Sequence, residues 1–346
     1  MFDVENLKIR ARTGIYATGQ ERVVQILETA VDILIHDGFP AVTLREIARR
    51  MGIRVSAISH YYSSREDLLL DVLSGVLNSY EAFFGDLREA SDQPAEERLR
   101  AFIRAMHDSG PIDALICNAG IQETGAVSLT SEGFETTFAT NHLGHFLLAR
   151  GLLGELSSHG CVVFVSSNTH DPTKHTGMPA PAIDDVDDLA HGRAFQDQAV
   201  SVAARRRYTT SKLCNVLCAY ELDRRLRAVT APAPSSLRVY AFDPGLMPGT
   251  GLARGYGAAA RFGWKYVLPV LTLVVPNTNS VCLSGSRLAR IADEDAAPAS
   301  GTYITRGRVA PSSKLSYDDE LAKRLWESSA RLCGLPADLM SEETRR

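Results

Sequence analysis

From Gln20 to His36, "QERVVQILETAVDILIH", apolar residues recur at three- and four-residue intervals and put Val23, Ile26, Leu27, Ala30, Ile33 and Leu34 on one stripe. The stripe predicts an amphipathic helix, with Asp37-Gly38 as its stop. The next pattern is "TLREIARRMGIRVSAISHYYSSREDLLLDVL" at 43–73. Thr43 and Glu46 form an S/T-x-x-E capping box, which starts a short helix carrying Leu44, Ile47 and Ala48 inward. Met51-Gly52-Ile53 reads as a tight turn and is followed by a second short helix from about Arg54 to Tyr61. Helix, three-residue turn with glycine, helix is the helix-turn-helix arrangement. Beyond it "SDQP" marks a break, and "AEERLRAFIRAMHD" is amphipathic again.

After residue 109 the pattern changes. Four apolar runs, "DALICNAG" (113–120), "CVVFVSS" (161–167), "LRVYAFDPG" (237–245) and "GTYIT" (301–305), alternate with helical stretches. That alternation predicts a parallel sheet covered on both faces. Ligands gather at the carboxyl ends of such strands, where Asn118, Ser167 and Asp243-Pro244-Gly245 fall. The fold class expected is an all-α helix-turn-helix domain followed by an α/β domain. The boundaries read as a flexible 1–17, a helix-turn-helix domain at 18–75, a helical junction at 76–108, the α/β domain at 109–337 and a tail at 338–346.

Composition adds limits. A chain of 346 residues exceeds what one core usually organises, which agrees with two domains. The formal net charge of −4 argues against coating nucleic acid non-specifically, so any DNA contact is local. Residues 1–75 hold nine Lys and Arg against ten Asp and Glu, yet Arg45, Arg49, Arg50, Arg54 and Arg65 cluster around the second short helix. The start, "MFDVENLKIR", lacks an apolar core, so the cytoplasm is the expected location. "YVLPVLTLVV" at 266–275 is too short to span a bilayer and reads as core or substrate lid, so no membrane partner is expected. The six cysteines show no paired spacing, Cys214 and Cys218 read as buried thiols, and no metal is expected. "IDDVDDL" at 183–189 reads as a solvated loop.

The strongest chemical signal is "YTTSKLCNVLCAYELDRRL" at 208–226. Tyr208 and Lys212 are four apart on a helix and share a face. A phenol near pKa 10 is a poor acid or base at neutral pH, and an adjacent ammonium favours the phenolate. Such a pair suits proton transfer to and from a carbonyl or alcohol oxygen, which Ser167 could hold by a hydrogen bond.

Two resemblances follow from these residues. Residues 20–73 resemble the DNA-binding domain of TetR-family repressors, with "ISHYY" (58–62) in the recognition helix where a subgroup reads "ISHYF". The resemblance implies that this helix enters the major groove. It places Thr43, Arg54, Val55, Ser56, Ser59 and His60 near bases or backbone, and Tyr61 and Arg65 on phosphate. Arg54 stands where the family usually has a capping serine. From about 98 to 337 the order Asn118-Ala119-Gly120, "NHLGHFLLARGLL" from 141, Ser166-Ser167, "YTTSK" and "DPG" resembles the short-chain dehydrogenase/reductases. The nearest branch is the retinol dehydrogenase and protochlorophyllide reductase-like one, and the ending "KLSYDDELAKRLWESSARLCGL" is similar to that branch too. The resemblance implies a catalytic set of Asn141, Ser167, Tyr208 and Lys212. It implies NAD(P) bordered by Asn118, Ala119, Gly120, Tyr208, Lys212, Pro244, Gly245 and Thr250.

That family begins with a strand and TGxxxGxG, whose backbone N–H groups hold the diphosphate at a helix amino terminus. "TGIYATGQ" (13–20) is the only near match, and it reads as a decoy ahead of repressor-like helices. The sheet is therefore expected to be a truncated Rossmann-like one, equivalent to strands 4–7, and NAD(P) binding is doubtful. Two functions stay open: a TetR-like regulator whose reductase half dimerises or takes a small ligand, binding palindromic double-stranded DNA as a homodimer, or an NAD(P)-dependent carbonyl reductase.

Overall fold

The computed structural model describes residues 17–75, 94–106, 111–230, 236–247, 279–293 and 296–339. The chain divides into two compact units, Met1–Asp92 and Gln93–Arg346. Thr250 and the run 266–275 lie outside the described residues.

In the first unit the apolar stripe folds as α1 (Ala17–Asp37), burying Val23, Ile26, Leu27, Ala30 and Ile33. They meet Val42, Ile47, Ala48 and Ile58 from α2 (Leu44–Met51), α3 (Val55–Ser59) and the segment before them, and Leu68 and Val72 from α4, the helical residues 65–75. Thr43 caps α2, its Oγ accepting from the Glu46 N–H at 3.1 Å. The return half of the box is not made. Glu46 instead forks to Arg49 and Arg50, because two guanidiniums one turn along outcompete a single backbone N–H. Gly52 ends α2 at φ 65°, and the Ile53 N–H reaches back to the Ala48 carbonyl at 3.0 Å, the left-handed cap that glycine permits.

The second unit is built on a five-stranded sheet in the order β1-β2-β3-β4-β5. Strands β1 (Ile112–Cys117), β2 (Leu156–Val165), β3 (Arg238–Asp243) and β4 (Thr302–Thr305) run parallel, and β5 (Arg308–Val309) pairs antiparallel with β4. The period of two sends alternate residues to opposite faces. Val162, Phe164, Val239, Ala241 and Tyr303 join the large core formed with α5 (Ala95–Met106), α6 (Gly144–Leu152), α8 (Val200–Thr230) and α10 (Asp319–Leu332). Cys161, Val163, Val165, Tyr240 and Phe242 face the other way, against Ile291 of α9 (Val281–Ala292). Among the described residues β1 is one edge of the sheet and β5 the other.

Several expectations change in detail. Ala95–Met106, read as part of a junction, packs within the second unit: a Cβ on Gly151 would meet Ile103 at 2.7 Å, so glycine lets α5 and α6 close up. "IDDVDDL" is not a loop. Asp185 caps α7 (Val186–Ala190) by accepting from the Asp188 N–H at 3.0 Å, while Ile183, Val186 and Leu189 are buried. Cys117, Cys161, Cys214, Cys218 and Cys333 are free and buried. No described helix is long and apolar enough to cross a membrane.

Candidate functional site

The helix-turn-helix presents Arg54, Val55, Ser56 and His60 exposed along and just past α3. Arg54 sits at the N-cap position without a capping side-chain bond, as expected of arginine in a serine's place. Ser59 turns inward enough for its Oγ to donate to the Val55 carbonyl at 3.1 Å, and His60 meets Tyr61 edge-on at 5.1 Å. Thr43 spends its hydroxyl on the α2 cap. Tyr62, in the place of the subgroup's phenylalanine, is fully buried; burial and the Asp71 carboxylate both push its phenol upward, so it stays protonated.

The expected arginine cluster divides. Arg50 is held by Glu46, Asp32 and Asp37, and Arg49 by Glu46. Arg65 donates its Nε to the Val42 carbonyl at 2.6 Å and so ties α4 to the segment before α2. Arg50 and Arg65 thus tie different elements of the unit together, whereas Arg49 pairs only within α2 among the described residues and, like Arg45 and Arg54, stands exposed.

In the second unit Tyr208, Lys212 and Asn141, three of the residues expected to carry acid/base chemistry, approach one another where β1, β2 and α8 converge. Asn141 lies on a π-turn, Ala139–Leu143, which opens the helix ahead of α6. Its Nδ2 donates to the Ser211 Oγ at 3.0 Å and to the Ile121 carbonyl at 2.9 Å, and its Oδ1 accepts from the Ile121 N–H at 2.8 Å. The amide thereby pins the turn after β1 to α8. Lys212 is buried, with Nζ 5.7 Å from the Tyr208 ring centre and 3.2 Å from the Val165 carbonyl, to which it donates. Burial lowers its pKa to about 8, and the Asp243 carboxylate opposes that, so the ammonium persists at neutral pH. Gly120 touches both groups: a Cβ there would lie 3.5 Å from Lys212 Nζ and 3.7 Å from Asn141 Oδ1. Asn118 and Ala119 stay exposed on the same turn.

Ser167 lies two residues past β2 and caps the turn that follows, its Oγ accepting from the Thr169 N–H at 3.3 Å. Pro244 and Gly245 follow β3. The Gly245 N–H donates to Asp243 Oδ1 at 2.9 Å, and the Pro244 carbonyl accepts from Asn279 Nδ2 at 2.7 Å and Ser284 Oγ at 2.8 Å. Four further residues serve the site. Ser166 Oγ donates to the Lys212 carbonyl at 2.7 Å, and Asn215 Nδ2 joins Lys212 on the Val165 carbonyl at 3.0 Å. Ser211 links Asn141 to the Tyr208 carbonyl. His170 donates from Nδ1 to the Ser167 carbonyl at 2.6 Å and accepts the Ser313 N–H on Nε2 at 3.2 Å, which requires the neutral ring. Asn215 and Ser211 were findable, since they sit at helical spacing from Tyr208 and Lys212. His170 was not, because its partner is 143 residues away.

Burial holds His142 and His145 neutral, with pKa values of about 4 and about 3. In the unfolded chain both would titrate near 6.5. The unfolded state therefore takes protons first as pH falls. The stability is complete only above the unfolded value near pH 6.5 and is lost on the way down, to about 4 for His142 and about 3 for His145. At about 1.4 kcal/mol per pH unit for each ring, the α/β unit is expected to lose about 2 kcal/mol between pH 6.5 and 5.5. Urea midpoints across that interval measure it, and a flat profile would contradict the buried-neutral assignment.

Residues 26–72 match the family described as bacterial regulatory proteins, tetR family. The chain is 31% identical over 264 residues to protochlorophyllide reductase A, chloroplastic, of Oryza sativa subsp. japonica, with 70% of this chain and 66% of that protein covered. It is 33% identical over 264 residues to protochlorophyllide reductase of Avena sativa, covering 70% and 82%. The chain thus spans about two-thirds of the rice protein's length. Among solved structures, an uncharacterized protein from Mycobacterium paratuberculosis matches with 29% identity and a TM-score of 0.44, covering 70% of this chain and 74% of that one. The chain belongs to the short-chain dehydrogenase/reductases through its protochlorophyllide reductase-like α/β unit, and it carries a tetR-type DNA-binding segment ahead of it.

Proposed function

We propose that the protein is a DNA-binding transcriptional regulator of the tetR type whose α/β half does not hold a dinucleotide. It acts in the cytoplasm as a homodimer on palindromic double-stranded DNA, with the α/β half dimerising or taking a small ligand. The observation that carries the reading is the contrast between the two units. The helix-turn-helix has its core, its turn and an exposed α3, while β1, with Asn118–Gly120 at its end, is one edge of the described sheet. Residues 73–111 separate the matched segment from β1, and α5 already occupies part of them. One strand-helix-strand unit takes about 30 residues or more, so three strands with their helices do not fit there. Lys212 and the Asn118–Gly120 turn suit a nicotinamide ribose. No glycine-rich turn opens a helix beside β1 among the described residues, so the chain fits one end of NAD(P) and not the other.

Gel retention of genomic DNA flanking the protein's own gene tests the reading. Arg54→Ala is expected to weaken binding about tenfold and to reduce the slope of log affinity against log salt by about 1. Unchanged retention, or none with the unaltered protein, would defeat it. The alternative, an NAD(P)-dependent reductase, is favoured by the convergence of Tyr208, Lys212 and Asn141, which sets an ammonium beside a phenol at the carboxyl end of the sheet.

A further inference from the structure

A chain of buried polar side chains runs through the α/β unit from α10 toward the Lys212 ammonium. Ser329 of α10 meets His142 Nε2 at 2.8 Å, and His142 follows Asn141 on the π-turn. Phe138 and Phe146 flank the imidazole, their ring centres 5.1 and 6.3 Å away. The Asn215 side chain is its other polar neighbour. Asn215 Nδ2 is already given to the Val165 carbonyl at 3.0 Å, so Oδ1 is the atom left to face the ring, and Nδ1 is the ring atom left to face it.

Burial keeps the ring neutral, with a pKa of about 4, so it carries one N–H and one lone pair. An amide oxygen can only accept. The proton therefore belongs on Nδ1, Nε2 accepts from the Ser329 hydroxyl, and the chain has one direction: hydroxyl to ring, ring to amide, amide to carbonyl. The Val165 carbonyl at its end is the one to which Lys212 donates at 3.2 Å. In this arrangement the amide turns its N–H end, positive in its dipole, toward a carbonyl that the ammonium shares. Turned over, it would offer the ammonium an oxygen. The carbonyl favours the first arrangement and the ammonium the second, so the ring N–H decides between them.

We propose that His142, keyed by Ser329, is a positioning residue for Lys212: it orients the Asn215 amide, which fixes how the Val165 carbonyl is shared and where the ammonium rests beside Tyr208 and Gly120. Helix α10 thereby bears on the ammonium at the far end of the chain. The role concerns the lysine itself, so it holds whether the unit transfers hydride or takes a small ligand.

The test follows the carbon-13 resonance of ε-labelled lysine in the full chain as pH is raised, without cofactor or DNA, with Lys212→Arg to assign the signal. The titratable groups near the ammonium are Asp243 at the end of β3, His145 of α6 and Tyr208 on its own helix, and every variant leaves them in place. The midpoint in the unaltered protein is expected at about 8. His142→Phe, matched to its aromatic neighbours, frees the amide to turn its oxygen to the ammonium and is expected to raise the midpoint by about half a pH unit or more. Ser329→Ala is expected to move it the same way by less. His142→Gln, which offers the same donor and acceptor, is expected to return it to the unaltered value. In an Asn215→Leu background His142→Phe is expected to add nothing, because the ring acts through the amide. An unchanged midpoint in a His142→Phe protein that keeps its circular dichroism, or a shift of equal size in the Asn215→Leu background, would overturn the proposal. Should His142→Phe fail to fold, Ser329→Ala decides alone, and an unchanged midpoint there overturns it.

Discussion

Titration of the purified full chain with NADPH or NADH is expected to show no saturable binding below about millimolar concentration. In the complete nucleotide fold the diphosphate is gripped by backbone N–H groups at a helix amino terminus, where the dipole also favours the anion. Each such charge-assisted hydrogen bond contributes about 1.5–3 kcal/mol, and losing three or four removes on the order of 5–10 kcal/mol. Micromolar binding corresponds to about 8 kcal/mol, so little remains. On the proposed reading what remains is the other end: the Lys212 ammonium, the Asn141 amide and the Asn118–Gly120 turn that packs beside them. It follows that reduced nicotinamide mononucleotide, which lacks the adenylate, should bind no more weakly than NADPH. Nicotinamide fluorescence measures both. Micromolar NADPH affinity with turnover of an aldehyde or quinone would reverse the ranking of the two functions and leave the proton-transfer residues in a working enzyme.

The sequence carried those features that are written locally. Helical spacing in α1 named five of the residues that form the first core, and Gly52 announced its own left-handed turn. Tyr208 and Lys212 declared a shared face, and the four apolar runs became the four parallel strands. The hidden features depend on distant partners or on competition between partners. Arg50 is engaged by Asp32 and Asp37 on another helix, and Arg65 Nε by the Val42 carbonyl, contacts that sequence spacing does not show. The π-turn at Ala139–Leu143 leaves no mark in an apolar repeat, since one extra backbone residue per turn changes the bonding and not the composition. β5 was missed because its turn places Arg306 at φ 54°, ahead of Gly307, where propensity expects asparagine or aspartate. His170 was missed because the turn after β2 and the loop that holds Ser313 meet only in the folded chain.

Glu135→Ala is expected to cost the α/β unit about 3–5 kcal/mol, read from urea unfolding followed by tryptophan fluorescence. Glu135 is 1% exposed and Arg207 is 5% exposed, and they face each other at 3.7 Å, beyond hydrogen-bond range. Burial raises the carboxyl's pKa and lowers the guanidinium's, and in each case the partner only partly offsets it. Both groups are therefore pushed toward their neutral forms, which means desolvation outweighs their mutual attraction. The pair as a whole adds little to stability, yet removing one member strands the other as a buried charge. The alanine also uncaps the Phe138 N–H, which Glu135 Oε2 accepts at 2.6 Å at the start of the turn leading to Asn141. Glu135→Gln keeps that acceptor and removes the charge, and Arg207→Met removes the other. Combined, they are expected to restore most of the stability that either loses alone, a coupling of about 2 kcal/mol or more. Additive losses in the double variant would show that the two side chains act separately. Because Glu135 leads into the Asn141 turn and Arg207 precedes Tyr208, the same pair faces across the gap between that turn and α8.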